Sequence, residues 1–425
     1  MRFMLPSFCT ESSLPTSDSG PRDERYTFCC GLLNIDFLGI ISSTTQRSVS
    51  QSIAIMSEGL LRTPLAYSGS LDAYESADVT PPIGREYPKL QLSELLGNDE
   101  QLRDLAVLAS QRGALFFRDQ NIDNEQLKVL ANKLGELTGR PADSGLHRHA
   151  LSSKDNVKNH DENGNTDEEV FFVSSEREKE NHSNRFQAPL PKLASYLWHS
   201  DITFEHIPSD YAILKMVDMP PGNAGGDTLF ASAYEMYDRM SPHYQKLCDG
   251  LTATHFQPVF SRVLKQSNDP LITENRGHPE NEGLDFKAVH PVVRTNPVTG
   301  WRHMFAAGQQ IYDGKINGVT DAEEEALKRY FLQLVTENHD LQCRFKWGLN
   351  DVVIWDNRST FHTATNDYEG RRKLVRITSV GEKPYLDPKS LSRRQALRKL
   401  ESFEPEVLTP PADEEFVSKK RQRVS

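Results

Sequence analysis

Apolar positions change their spacing twice along this chain. Up to about residue 85, Ser, Thr, Pro and Gly interrupt each apolar run and no period is sustained. Such a segment buries too little apolar surface to offset the entropy of ordering, so residues 1–85 are expected to be a mostly disordered extension. Within it, Met56 offers a second start, and the sequence leaves open which Met is used. From residue 101 the spacing becomes helical. Leu102, Leu105, Leu108 and Ala109 share one stripe and Gly113 stops it, which predicts a helix over residues 101–112. Ala114–Phe117 is a short apolar run and reads as a strand. Asp123 and Gln126 have the spacing of a capping box, and Leu127, Leu130, Ala131 and Leu134 continue that helix as a stripe. Residues 151–188 turn polar and acidic and read as a long surface loop around one strand at 170–173.

The second half is dominated by short β-prone runs at 211–217, 289–295, 301–305, 341–347, 351–355 and 374–380. Asn296, Pro297 and Gly300 supply a turn between two of them. One helix intervenes, capped by Thr320 with Glu323 and striped by Leu327, Tyr330, Phe331 and Leu334. Strands in the majority with a few helices outside them suggest a sandwich or barrel. After residue 386 the chain is charged and ends in a basic run at 419–423, which reads as a solvated tail.

Charge and cysteine usage narrow the function. The 425 residues carry 49 Lys and Arg against 60 Asp and Glu, a net charge of −11. An acidic chain lacks the clustered cations that phosphate backbones demand, so no nucleic-acid partner is expected. The longest apolar stretch, 28–41, is broken by Asn34 and Asp36 and is too short to span a bilayer, so no membrane partner is expected either. Of five cysteines only Cys248 and Cys343 lie beyond residue 30, which is no disulfide framework and points to a reducing, cytoplasmic setting. The oligomeric state stays open, a homo-oligomer included.

The candidate chemistry sits in two places. Trp198-His199-Ser200-Asp201 contains an H-x-D, whose imidazole and carboxylate would share one face of a strand and could meet one ion. Taken alone, that match is weak. Trp355-Asp356-Asn357-Arg358 is an apolar strand running into a turn that presents His362, followed by Arg372 and Arg376. Two His and one carboxylate make the facial triad of non-haem Fe(II) oxygenases, which leaves positions open for a 2-oxo acid and O₂. An arginine on a neighbouring strand could clamp the far carboxylate of that acid. Strand parity puts Arg372, Leu374 and Arg376 on one face, with Arg371 and Lys373 on the other.

Several blocks in order carry a resemblance: ALFFRDQ (114–120), LGEL (134–137), WHSDITF (198–204), GGDTLFAS (225–232), HPVVRTNPVTG (290–300), IWDNR (354–358) with His362, and RRKLVRIT (371–378). Over about residues 87–384 the chain resembles the taurine/sulfonate dioxygenase family of Fe(II)- and 2-oxoglutarate-dependent oxygenases, particularly the fungal sulfonate dioxygenases. The resemblance implies a mainly β fold with flanking helices, a double-stranded β-helix (jelly roll, cupin-like), over residues 86–385. It implies Fe(II) on His199, Asp201 and His362, with 2-oxoglutarate and O₂ as co-substrates. Thr228 and Arg372 match the contacts to the distal carboxylate of 2-oxoglutarate. Arg376 and His149 match contacts to a sulfonate, and Phe204 an apolar wall. The implied reaction on a small anionic substrate is hydroxylation of the carbon next to the sulfonate of taurine or another alkyl sulfonate. Sulfite and an aldehyde are released, with succinate and CO₂. Two departures, Ala150 after His149 and Gln310 in place of an aromatic, keep a different anion in view: a sulfate ester, an aryloxy carboxylate or a biosynthetic intermediate. A metal-free jelly-roll binding module is the reading from another class.

Other histidines have plainer readings. His147 reads as a surface histidine beside the acidic loop, His290 and His303 as packing or hydrogen-bonding residues, and His160 and His182 as solvent-exposed. His149 reads equally as a structural histidine. Gly225, Gly226 and Asp227 read as the turn that presents Thr228.

Overall fold

The computed structural model describes residues 63–152, 166–175, 193–261 and 271–401. The expected extension up to residue 62, His160 and His182 of the polar insert, and the basic run at 419–423 lie outside the described residues.

Continuous apolar runs become strands buried on both faces. The largest sheet has seven strands in the order β1 (Ala77–Asp78), β2 (Arg85–Tyr87), β3 (Ala114–Phe117), β13 (Val352–Asp356), β5 (Ser209–Asp218), β15 (Lys373–Val380) and β4 (Phe171–Ser174). β13 lies at its centre, antiparallel to β3 and β5. Val352 and Ile354 face one core, with Leu105 and Leu108 of the helix Asp99–Arg112 and Leu127 and Leu130 of the helix Asn124–Leu137. Val353 and Trp355 face the opposite core, with Phe116, Phe230 and Phe345.

That second core separates the large sheet from a three-stranded one, ordered β12 (Gln342–Phe345), β6 (Thr228–Ser232) and β14 (Thr360–Ala364). Phe230, on the middle strand, packs edge-on to Phe116 at 5.7 Å and against Trp355 at 5.8 Å. The outer face, with Ala231 and Phe361, is covered by the helices Ala233–Arg239 and Asp321–Thr336. Two smaller sheets complete the described strands: β16 (Leu391–Ser392), β10 (Trp301–Met304), β9 (Val293–Thr295), and β11 (Lys315–Asn317), β7 (Thr252–Phe256), β8 (Lys287–Pro291). The architecture is mainly β with flanking helices. Among the described residues no helix is long and apolar enough to cross a membrane.

Local signals set the element ends. The Asn98 side chain caps the helix Asp99–Arg112, and Gly113 ends it at φ 75°. Both capping boxes form, at Asp123 with Gln126 and at Thr320 with Glu323. The run at 289–295 is two strands rather than one. Val292 hydrogen-bonds to Leu251 and Phe305, so the chain crosses there from one small sheet to the other.

The domain reaches further at both ends than residues 86–385. The expected boundary at 85/86 falls inside β2, and Leu71 and Ile83 before it are buried. The reason is local: Asp104, fully buried, accepts hydrogen bonds from the backbone and hydroxyls of Ser68 and Ser70, so serines that read as disorder are partnered. At the other end, β16 pairs with β10 and the helix Arg393–Glu401 follows. Arg393 meets Glu235 at 3.1 Å, so the first part of the charged tail is docked rather than solvated.

A buried charge network ties the β13–β14 turn to the smaller sheets. Arg358 pairs with Asp356 at 2.7 Å and lies 3.6 Å from Glu382, which pairs with Arg294 at 2.5 Å. The Asn296 amide donates to Asp356 at 2.9 Å.

Phe230→Ala should destabilise the protein by about 3–5 kcal/mol, because it empties the layer between the sheets. Asp123→Ala, which removes one exposed cap, should cost about 1 kcal/mol. Urea unfolding measures both, and equal losses would mean that Phe230 does not anchor the inter-sheet layer.

Candidate metal centre

Backbone pairing brings the two distant motifs together. His199 and His362 form a single antiparallel bridge, with N–H···O bonds of 3.0 and 2.8 Å in the two directions. Their rings lie 4.3 Å apart. The His199 Nδ1–H donates to the Leu197 carbonyl at 2.8 Å, which leaves Nε2 with its lone pair. That Nε2 lies 3.6 Å from Asp201 Oδ1, and His362 Nε2 lies 3.9 Å from the same oxygen. One donor atom from each residue falls within 4.8 Å of the others.

Two local expectations are corrected. The H-x-D does not lie along a strand: His199 occupies the lone bridge and Asp201 opens a turn in which Ile202 has φ 50°. A β-branched residue in that region is strained. His362 is not on the turn but in the middle of β14, whose Thr- and His-bearing sequence hid the strand.

The strained turn is held from several sides. The buried Asn357 amide brackets Asp201, accepting its N–H at 2.9 Å and donating to its carbonyl at 2.9 Å. His290 Nε2–H is shared between the Thr203 and Glu205 carbonyls at 2.9 and 3.0 Å. Glu205 takes a two-pronged pair from Arg276, at 2.6 and 2.8 Å, and a bond from His147 Nε2 at 3.2 Å. His147 is therefore a buried strut rather than a surface histidine, since its carboxylate partner is buried with it. His290 and His303 have the hydrogen-bonding roles expected of them.

Burial pushes the Asp201 carboxyl up, but Arg376 and the two imidazoles outweigh it and hold it well below the usual range. Arg376 Nη1 donates to Asp201 Oδ1 at 2.7 Å, while Oδ2 is buried with no hydrogen-bond partner among the described residues. Burial, then the neighbouring His199, lower His362 to about 3 despite Asp201. The set is thus two imidazoles and an ionised carboxylate with an unpartnered buried oxygen. Iron bonds of about 2.1 Å would put adjacent donors about 3 Å apart, so small side-chain movements suffice. The residues present fit the metal.

The remaining candidates divide into two groups. Arg372 and Thr228 flank the turn at Gly225 and Gly226. Arg372 Nη2 donates to the Gly226 carbonyl at 2.8 Å, and Thr228 Oγ1 accepts the Trp347 indole N–H at 3.0 Å. Gly226 has φ 68°, and a Cβ there would meet Arg372 Nε at 2.7 Å, so the turn is shaped around this arginine. Arg371 faces outward to Asp218 and Lys373 lies over Phe172, in keeping with strand parity. On the other side, Arg376 stacks over Phe171 at 4.9 Å, and Phe171 lies 3.9 Å from the buried His149. His149 Nδ1 accepts the Leu151 N–H at 3.2 Å, which puts the neutral ring's proton on Nε2. Phe204 packs with Phe260 at 5.3 Å, and Ala150 joins that cluster. Gln310 is buried in the short helix Gln309–Tyr312. Phe171, Phe260, Glu205, Arg276 and Asn357 were not anticipated. Only Asn357 stood in a recognisable motif.

Known proteins give a consistent picture. The profile of the taurine catabolism dioxygenase TauD, TfdA family matches residues 75–378. Alpha-ketoglutarate-dependent dioxygenase btcD of Neocamarosporium betae is 44% identical over 352 residues, covering 79% of this chain and 99% of that one. The alpha-ketoglutarate-dependent sulfonate dioxygenase of Saccharomyces cerevisiae is 31% identical, covering 74% of this chain and 68% of that one. A crystal structure of a taurine dioxygenase from Burkholderia xenovorans superposes with a TM-score of 0.54 at 25% identity, covering 75% of this chain and 92% of that one.

The buried histidines carry a pH dependence. Burial and Arg294 lower His290 and His303 to about 3. Below pH 6.5 the unfolded chain takes up protons that these rings refuse when folded, so their contribution is present above about pH 6.5 and lost as pH falls toward 3. The unfolding free energy from urea titrations should fall across that window, by up to about 1.4 kcal/mol per pH unit for each ring. His303→Gln should flatten the curve.

Proposed function

The chain belongs to the taurine catabolism dioxygenase TauD, TfdA family, and on that premise we propose that it hydroxylates a carbon of a small anionic substrate, with His199, Asp201 and His362 as its iron donors. As a member it is an α-ketoglutarate-dependent dioxygenase, and it works with Fe(II), 2-oxoglutarate and O₂. The observation that carries the donor assignment is the convergence of two imidazoles and one carboxylate within 4.8 Å. We read the seven-stranded sheet and the sheet of β12, β6 and β14 as the two walls of a double-stranded β-helix, within a catalytic domain spanning at least residues 63–401. The free, buried Cys248 and Cys343 suit a reducing, cytoplasmic setting.

When bound, the iron would let O₂ act as the oxidant: one of its oxygen atoms would enter the substrate's C–H bond as hydroxyl and the other would enter succinate, as 2-oxoglutarate is oxidised with loss of CO₂. The protein's part is positioning, charge and exclusion of water. Arg372, buried beside Gly226, neutralises the distal carboxylate of 2-oxoglutarate, and the Thr228 hydroxyl adds a hydrogen bond. Arg376 holds the substrate's anionic group with a fixed fork of donors, and His149 Nε2–H is a second donor nearby. Phe171, Phe204 and Phe260 keep the apolar body of the substrate dry.

For the substrate itself, an alkyl sulfonate such as taurine is the first reading. A sulfonate stays charged at any physiological pH and suits an arginine with a neutral histidine donor. The sulfonate dioxygenase of S. cerevisiae supports it at 31% identity. Hydroxylation next to the sulfonate would release sulfite and an aldehyde. A specific observation favours a second reading. The aromatic cluster of His149, Phe171, Phe204 and Phe260 beside Arg376 suits an anion with a larger planar body, such as an aryloxy carboxylate or a biosynthetic intermediate.

A substrate panel assayed for succinate and sulfite separates the two readings. Sulfite from small alkyl sulfonates supports the first. Succinate coupled to an aryl-bearing carboxylate, without sulfite from any sulfonate, supports the second. Arg372→Ala should raise the KM for 2-oxoglutarate at least about 100-fold, since a buried carboxylate loses its partner. Arg376→Leu should raise the KM of the prime substrate far more than that of 2-oxoglutarate. Exchanged phenotypes would exchange the two roles.

A further inference from the structure

We propose that Asn357 is the positioning residue for the Asp201 ligand and that its side-chain amide sets the affinity of the site for metal. The inference rests on Asp201 being a metal donor. Asn357 is 1% exposed, and each of its polar groups is used. Its backbone N–H donates to the Asp210 carbonyl at 2.8 Å, and its carbonyl accepts the Ser200 hydroxyl at 2.6 Å. Its side-chain Oδ1 accepts the Asp201 N–H at 2.9 Å and the Trp355 indole N–H at 3.2 Å. Its Nδ2–H donates to the Asp201 carbonyl at 2.9 Å. The amide therefore takes the place of a neighbouring strand at a residue that has none, exchanging one donor and one acceptor with Asp201 as a peptide group would.

Residue choice follows from that exchange. The Trp355 indole N–H fixes which end of the amide is oxygen. Aspartate would set an oxygen against the Asp201 carbonyl, glutamine would overreach by one methylene, and alanine would leave both backbone groups buried and unpaired. The amide touches only the main chain of Asp201, yet the direction of that peptide decides where Oδ1 and Oδ2 lie relative to the two imidazoles. It does so at a turn whose next residue, Ile202, is strained at φ 50°, so the bracket opposes relaxation away from the donor geometry. The residues on either side of Asn357, Asp356 and Arg358, pair with each other at 2.7 Å. Outer partners of metal ligands typically change metal affinity by 10- to 100-fold, and Asn357 falls in that class by its contacts.

The test is Mn(II) binding to the metal-free full-length protein, read from the electron paramagnetic resonance of free Mn(II) at a temperature where every variant is folded. Asn357→Asp and Asn357→Ala should bind Mn(II) about 10- to 100-fold more weakly. With metal saturating, the KM for 2-oxoglutarate should change by less than about threefold. Asn357→Ser, which keeps a small polar group, serves if the other two fail to fold and should show the same weakening. Asn296→Ala removes a buried amide bonded to the same turn without touching Asp201, and should lower the urea midpoint while leaving Mn(II) affinity unchanged. Folded Asn357 variants with Mn(II) affinity within twofold of the parent would overturn the role. So would an affinity loss matched by Asn296→Ala at equal destabilisation. Unchanged Mn(II) binding in Asp201→Ala would instead overturn the metal assignment itself, which keeps the two failures apart.

Discussion

Two main-chain hydrogen bonds between His199 and His362 decide the geometry of the candidate site. They join a loop that has no sheet of its own to the middle of β14, and so convert the rigidity of the inter-sheet core into a fixed separation of two imidazoles. Phe230 and Trp355 pack against the His362 ring from below, at 6.1 and 5.0 Å. The short segment from Asn357 to His362 thereby touches all three candidate donors. It carries His362, pairs with His199 through the backbone, and grips Asp201 through an amide. The rest of the fold presents that segment and shields it.

Shielding creates an electrostatic problem that the protein solves with partners. Buried histidines stay neutral, which keeps their nitrogen lone pairs available and removes charge from the interior. Several buried acids keep their charge beside arginines: Asp201 with Arg376, Glu205 with Arg276, and Glu382 with Arg294 and Arg358. These pairs are weak contributors to net stability, because desolvation offsets much of their attraction, but each is costly to break by half. Their placement around the strained turn and the β13–β14 turn suits a role in fixing backbone direction where the donors are mounted.

Much of the site was legible in the sequence because its side chains are rare in combination and stand in ordered blocks. His199, Asp201 and His362 lie together, and Arg372 lies with the turn that leads to Thr228, whereas the pairing of Arg376 with Asp201 was not read. Capped helices and apolar strands were legible for a different reason: their signals are local, as at Asp123, Thr320 and β13. Among the strands that went unread, β6, β7, β11 and β14 carry Thr, Ser, His, Lys or Asn, and long-range pairing decides their state. His147 was misread because nothing near it in the chain reveals Glu205 and Arg276, and serines 68 and 70 were misread because Asp104 is likewise remote. Asn357 stood in a quoted motif, yet its role exists only once the turn at Asp201 is brought against it.

Chain distance has a consequence for the order of events during synthesis. Asn357 and Asp201 lie 156 residues apart, and the third donor, His362, follows Asn357. A nascent chain that has already emitted His199 and Asp201 holds two candidate donors on an unbraced loop. Domains tend to fold as units once most of their sequence is out, and non-local pairings close late. Iron capture by the proposed triad is therefore tied to near-completion of the domain, since a ribosome stalled before β14 leaves a product with no competent site.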